Sequence, residues 1–414
     1  MHSVKIKELL KYPLIWLFAL LIFGFLIVDF ILPDRLYSEF ENTKLQQKPE
    51  FTIAGFFDST YSTKYETYIN EQFPLRDQWI TLKAVTEIGL GKLENNNIIY
   101  GEDDYLFEKL QIIPEPNASA GSNVANMKQI ERNWRFMNEF FQMYDLPVTF
   151  ALAPNSYAVM TDKLPFGTDL PDQESMIPEI YNSFTEDDDL TFINFLPSLK
   201  EHQDEYIYYR TDHHWTTLGA YYAYVEYCNE KGLEPISLDE LQANDVHDFY
   251  GTYYNKCKKP GQDSDIITWY DVPLETFQFT GDVNDENMLE QAEVTEWNGI
   301  PMLSVDGMYQ LDQFDTRDKY AAFTWGNNGL TQIVTGHNND PKEEPTRLLL
   351  IKDSYANSMV PYLTYNYDEI WIMDLRSTPM NMSQILAENE FDDIFVMYNF
   401  STFLTDTDIA RLRF

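Results

Sequence analysis

Two cysteines, Cys228 and Cys257, are all that the 414 residues contain. There is no CxxC pair and no spaced Cys/His set, which excludes a zinc site of ordinary ligand spacing. In an exported chain the two could form one disulfide or stay as free thiols, and spacing leaves both open. Basic side chains are also few: 29 Lys and Arg stand against 67 Asp and Glu, a net charge of −38. Such a chain does not attract nucleic acid or anionic lipid by bulk electrostatics. Internal repeats and low-complexity tracts are absent, and no cofactor is expected.

Long apolar runs are scarce as well. The one present extends from Tyr12 to Val28, is interrupted by Asp29, and continues through Phe30-Ile31-Leu32 to Pro33. About 20 apolar residues match the hydrocarbon thickness of a bilayer. Lys5, Lys7 and Lys11 precede the run and should stay cytoplasmic. Phe25 to Phe30 offers no small-residue cleavage site. The expectation is an uncleaved signal anchor at 12–32, with residues 1–11 cytoplasmic and everything after 32 exported.

A hydrophobic content of 44% supplies a core. The length suits one large α/β domain with insertions, or two domains. Residues 33–70 are polar and aromatic and read as a stalk. Residues 120–144 read as a helix with Met127, Ile130, Trp134, Met137, Phe140 and Phe141 on one face. Pro147 to Pro154, Leu190 to Phe195 and Tyr206 to Tyr209 read as strands. A helix over 216–230 follows, with Thr216 or Thr217 as N-cap and Leu218, Tyr221, Tyr222, Val225 and Cys228 inward. Residues 237–340 lose this rhythm and read as a β-rich insertion or subdomain. Strands resume at Arg347–Ile351, Ile370–Met373 and Ile394–Met397. Apolar strands alternating with helices imply a parallel sheet covered on both faces.

Only five histidines follow the apolar run, and two are adjacent in Asp212-His213-His214-Trp215. A carboxylate two residues before an imidazole is a compact way to orient a general base. Far downstream, Leu348-Leu349-Leu350-Ile351-Lys352-Asp353-Ser354 is a strand ending in a turn. A serine there sits at the carboxyl edge of the sheet, where ligands bind. A serine needs a base to become a nucleophile, and the base needs an orienting group. Ser354, His214 and Asp212 fill these roles. His213 is expected to point elsewhere, and a metal held by Asp212, His213 and His214 is disfavoured for the same reason. Oxyanion candidates are the Ser354 or Tyr355 amide, Asn155 and Asn399. Arg376 could bind substrate, with an internal ion pair as the competing role.

Arg210-Thr211-Asp212-His213-His214-Trp215-Thr216 resembles the signature of the DHHW protein family, which is similar to the SGNH-hydrolase-like alginate acetyltransferases of the AlgX and AlgJ type. Asn97 to Phe107, Asn70 to Arg76 and Asp374-Leu375-Arg376 resemble further segments of that group. Lys352 stands where a Gly often precedes the Asp-Ser pair, and Tyr105 replaces a Trp. The resemblance implies a three-layer SGNH-like domain over 71–414, with the insertion at about 237–340. It implies acyl-ester chemistry on an envelope or exported polysaccharide, supplied by a membrane-bound O-acyltransferase partner. Ester hydrolysis by the same triad, or a non-catalytic polysaccharide-binding role, are the alternatives.

Overall fold

Leu348 to Ile351 carry no exposed surface, and the strand they form has parallel neighbours on both sides. The computed structural model describes residues 11–38, 43–114, 123–144, 147–184, 189–336 and 345–413. Lys5 and Lys7 of the expected cytoplasmic tail lie outside these. The chain divides into two compact units: Met1–Lys92 with Lys258–Pro260, and Leu93–Cys257 with Gly261–Phe414.

The first unit begins with α1, Pro13–Ile31, a 19-residue helix with no buried residue and Pro13 in its first turn. It is long and apolar enough to cross a membrane, and among the described residues no other helix is. An N-terminal signal sequence has the same length and composition. A short helix at Ile53–Phe57, α2 (Thr60–Glu71) and α3 (Arg76–Gly89) follow.

The second unit is organised by one nine-stranded sheet. In chain order its strands are β1 (Val148–Ala153), β2 (Leu190–Ile193), β3 (Thr276–Phe279), β4 (Ala292–Trp297), β5 (Ile300–Val305), β6 (Leu330–Val334), β7 (Arg347–Lys352), β8 (Glu369–Met373) and β9 (Asp393–Asn399). Their spatial order is β4-β5-β3-β6-β8-β7-β9-β1-β2. The half β8-β7-β9-β1-β2 is parallel. The half β4-β5-β3-β6 is antiparallel and joins the other through β6 on β8. The sheet is thus mixed rather than parallel throughout. Among the described residues, the strands of the 237–340 segment extend the main sheet, except that Ala243–Phe249 pairs with Asp265–Tyr270 apart from it.

Period-2 alternation decides which face each residue of the parallel half enters. Leu348, Leu350, Phe395, Met397 and Ala151 join one apolar cluster with α5 (Thr217–Lys231). Leu349, Ile351, Ile394, Val396 and Phe150 join another with α4 (Met127–Met143). Each fully buried Leu or Phe contributes about 1.5–3 kcal/mol.

Three expectations need correction. Tyr206–Tyr209 is not a sheet strand: it folds back on its own continuation, with one bridge between Tyr208 and Trp215. The buried face of α5 is Ala220, Ala223, Tyr224, Tyr227 and Cys228, while Leu218, Tyr221, Tyr222 and Val225 are half-buried. Tyrosines occupy both sides of this helix, so hydrophobic periodicity misplaced the face by about one residue. The N-terminal helix limit also moves: Val124–Asn126 is strand, and α4 starts at Met127 with the Asn126 side chain capping Gln129. Its inner face buries Gln129 and Asn133, whose amides bond the carbonyls of Phe403 and Asp406, and it leaves Met127 exposed. Cys228 and Cys257 are both buried, and no disulfide joins them.

Candidate active site

Parallel pairing aligns the carboxyl ends of the central strands. Lys352 of β7 is level with Met397 of β9, and Asn399 of β9 with Ala153 of β1. The chain leaves β7 through Asp353 into a short 3-10 helix, Ser354–Ser358. Asp353, not Ser354, caps that turn. Its Oδ1 accepts from the Tyr355 N–H at 3.0 Å, and its Oδ2 accepts from the Asn399 N–H at 2.8 Å. Ser354 is therefore released from the capping role that competes with catalysis for a serine at such a position.

The Asp212–Trp215 segment arrives over this turn as a loop. Thr216 ends it by accepting from the Gly219 N–H, which starts α5. The buried Trp215 indole donates to the Tyr355 carbonyl at 2.9 Å and to Ser358 Oγ at 3.1 Å. The Tyr355 hydroxyl donates back to the His213 carbonyl. Two segments 140 residues apart are thereby fixed against each other.

Between them, His214 bridges the other two predicted residues. Its Nε2 lies 2.8 Å from Ser354 Oγ and its Nδ1 lies 2.6 Å from Asp212 Oδ1. Asp212 and His214 are buried. The Asp212 carboxylate also accepts from the His214 N–H at 3.0 Å and the Thr252 N–H at 2.7 Å. Burial opposes its charge, but the two imidazoles outweigh that and hold its carboxyl well below the usual range. Burial, followed by the adjacent His213, pushes His214 down to about 4.

His213 does not point away as expected. Its Nδ1 lies 3.4 Å from Asp212 Oδ1 and 2.8 Å from Thr252 Oγ1, and its ring centroid is 3.7 Å from that of His214. Ligand atoms of Asp212, His213 and His214 fall within 4.8 Å of one another, so divergent ring directions are no argument against a metal there. What disfavours a metal is that Asp212 Oδ1 and His214 Nε2 are already committed to the Ser354 chain of hydrogen bonds.

The Tyr355 N–H is taken by Asp353. No hydrogen bond of the Ser354 N–H is present among the described residues. Asn155 donates to Asn399 Oδ1 at 3.2 Å, and Asn399 donates to the Ala153 carbonyl at 3.0 Å. Both are buried, and they clamp the ends of β1 and β9. Arg376 pairs with Asp374 through two bonds, at 2.9 and 2.5 Å, with about a third of its side chain exposed.

Several neighbours carried no sequence signal. Tyr320 stacks on His214 at 3.8 Å and 12°. Its hydroxyl donates to the Ser354 carbonyl at 3.1 Å. Gly251 lies against Asp212, where an added Cβ would stand 2.3 Å from Oδ2. Asp265 accepts from the N–H groups of Arg210 and Thr211 at 2.9 and 2.7 Å, setting the entry to the loop. Lys352, buried just before the Asp-Ser pair, reaches Asn357 Oδ1 at 2.7 Å, Asn327 Oδ1 at 3.2 Å and Asp374 Oδ2 at 3.7 Å.

The sequence model of the DHHW protein family matches residues 172–373. That of the SGNH hydrolase-like domain, acetyltransferase AlgX, matches residues 98–242. No curated protein matches the chain. Among solved structures, a DHHW family protein from Eubacterium siraeum is 20% identical with a TM-score of 0.58, covering 77% of this chain and 95% of that one. Bacillus cereus PatB1 is 19% identical with a TM-score of 0.56, covering 75% and 98%. PatB1 with a sulfonyl adduct is 17% identical with a TM-score of 0.55, covering 77% and 100%. At these identities the likeness is one of fold. Sequence and fold thus agree: this chain matches the DHHW protein family and, overlapping it, the SGNH hydrolase-like domain of the AlgX acetyltransferase type.

Proposed function

We propose that this protein is a membrane-anchored, extracytoplasmic O-acetyltransferase that modifies an envelope or exported polysaccharide. The observation that carries this reading is His214 bridging Ser354 Oγ and the Asp212 carboxylate at 2.8 and 2.6 Å. In the first half-reaction His214 Nε2 accepts the Ser354 proton while Oγ attacks the acetyl carbonyl. The tetrahedral oxyanion lies toward the Ser354 N–H. It collapses to the acetyl-enzyme as His214 protonates the departing donor group. In the second, a sugar hydroxyl gives its proton to His214 and attacks, and His214 passes that proton to Ser354 Oγ as the acyl bond breaks. Asp212 holds the Nδ1–H tautomer and faces the imidazolium that forms at each step.

The three-layer SGNH-like arrangement of this domain is supported by α4 and α5 entering clusters on opposite sheet faces. In this reading α1 is the anchor, with the N-terminus cytoplasmic. A membrane-bound O-acyltransferase supplies acetyl groups from across the bilayer. The same acetyl-enzyme attacked by water would make the protein a carbohydrate esterase.

The test uses a small sulfonyl fluoride, chosen because PatB1 has been solved with a sulfonyl adduct. Mass spectrometry should find one sulfonyl group on the Ser354 peptide, and none in a folded Ser354→Ala variant. A folded wild type that is labelled elsewhere, or that releases no acetyl from an activated ester, would sink the proposal. With an acetyl donor and a glycan acceptor both present, acetylated glycan marks the transferase and free acetate alone marks the esterase.

A further inference from the structure

The first unit carries an unusual share of exposed apolar surface. Among the described residues, fifteen exposed large hydrophobic side chains fall between 33 and 92, against eight in all of 93–414. On α3 they form a stripe: Trp79, Leu82 and Val85, three residues apart, are 44%, 53% and 49% exposed. Such a stripe on an amphipathic helix requires a partner.

Three observations select lipid. The stripe is continuous with α1: Phe25 stacks on Phe73 at 5.6 Å and lies 5.9 Å from Trp79, so the α2–α3 corner packs along the apolar helix itself. Phe25 is six residues before the end of α1, or roughly 9 Å at 1.5 Å per residue. Polar contacts gather where the chain leaves α1. Arg35 pairs with Asp77 at 3.0 Å, its N–H bonds Gln72 at 2.9 Å, and Tyr68 bonds Asp34 at 3.0 Å. Charge follows the same division: residues 33–92 hold nine acidic and seven basic side chains, whereas 93–414 hold 56 and 19. The strongly acidic part would be repelled by an anionic surface; the nearly neutral part would not.

We infer that the α2–α3 hairpin is embedded in the leaflet through which α1 leaves the membrane, with the Phe73 corner below the headgroups and the Trp79-Leu82-Val85 stripe on lipid. Aromatic rings on a nearly neutral, amphipathic segment are the composition that partitions to this depth. The hairpin then acts as a second, in-plane anchor, so the membrane-bound part of the chain reaches to about residue 90. This rests on the anchoring reading of α1 given above.

The experiment uses full-length protein in phosphatidylethanolamine/phosphatidylglycerol vesicles, with an environment-sensitive fluorophore on one introduced cysteine. Cys228 and Cys257 are buried, and unmodified protein controls for their labelling. Leu82→Cys is the test position, Leu20→Cys reports on α1, and Phe166→Cys reports on an exposed apolar residue of the second unit. The label at 82 should be quenched by shallow lipid-borne nitroxides and shielded from aqueous iodide several-fold relative to 166. Iodide access at 82 equal to that at 166, with 20 still quenched by lipid, overturns the hairpin and leaves the anchor standing. Iodide access at all three overturns both. Shielding at 82 that appears only when a second membrane protein is added also overturns it, in favour of a protein partner.

Discussion

The Thr252 N–H donates to Asp212 Oδ2 at 2.7 Å, so the Asp212 carboxylate is held from a segment forty residues away as well as by its own loop. That approach depends on Gly251. A Cβ there would stand 2.2 Å from Asp212 Cβ and 2.3 Å from Oδ2. Gly251→Ala must therefore displace the carboxylate. If Asp212 orients His214 as proposed, a shift of this size costs about 10²-fold. The expected result is a loss of that order in kcat/KM for an activated acetyl ester, with circular dichroism unchanged. Full activity would show that Asp212 need not stand where it does.

Tyr320 lies flat on His214 and donates to the Ser354 carbonyl. Tyr320→Phe keeps the ring and loses the hydroxyl, whose hydrogen bond to the Ser354 carbonyl contributes about 0.5–1.5 kcal/mol, so activity should fall up to about tenfold. Tyr320→Ala also removes the stack, adding a further loss of about 0.5–1.5 kcal/mol. The two variants should rank Phe above Ala in kcat. Equal rates would mean that the ring does not position the base.

Lys352 is buried, and burial pushes its amine down to about 8 despite Asp374 nearby. The unfolded chain keeps the proton up to the ordinary value of 10.5, while the folded chain loses it sooner. Between about pH 8 and that value, stability should therefore rise with pH, by up to about 1.4 kcal/mol per unit. Urea unfolding at pH 8 and pH 10 should show this rise in the wild type. In Lys352→Met it should be missing. An identical pH dependence in the two proteins would refute the assignment.

The parallel strands were legible because each is a continuous apolar run bounded by turn residues, as in Leu348–Ile351. The Ser354–His214–Asp212 convergence was legible because only two segments paired the right residue types at turns. The antiparallel half was not. Its strands, such as Thr276–Phe279, alternate as any separate hairpin would, and nothing local says that Leu330–Val334 pairs with Glu369–Met373. Thr252, Gly251 and Tyr320 were invisible for a related reason. They act through a backbone N–H, the lack of a Cβ, and a ring face, none of which distinguishes them from other Thr, Gly and Tyr residues. His213 was misjudged because adjacent side chains diverge in a strand. In the Asp212–Trp215 loop they fold over one carboxylate.

His213 and His214 sit 3.7 Å apart over Asp212 Oδ1, and Tyr253 and Tyr355 flank His213. Burial opposes a positive His213, but Asp212, followed by Glu108, outweighs burial and Lys256; the balance raises it above the ordinary 6.5. His214 faces burial, the His213 charge and Arg376 on one side and Asp212 on the other, and is pushed down to about 4. As pH falls, His213 therefore takes the first proton and resists a second on its neighbour. A general base must be neutral to act, so the acid limb of kcat/KM should lie near pH 4, well below that of an ordinary histidine. His213→Ala removes the opposing charge and leaves the backbone carbonyl that accepts from Tyr355. The limb should then move upward, toward 6.5. Activity near pH 7 should change little, while at pH 5 the variant should fall several-fold below wild type. A wild-type limb at pH 6–7, or a limb that His213→Ala leaves in place, would show that the second histidine does not set the protonation of the first.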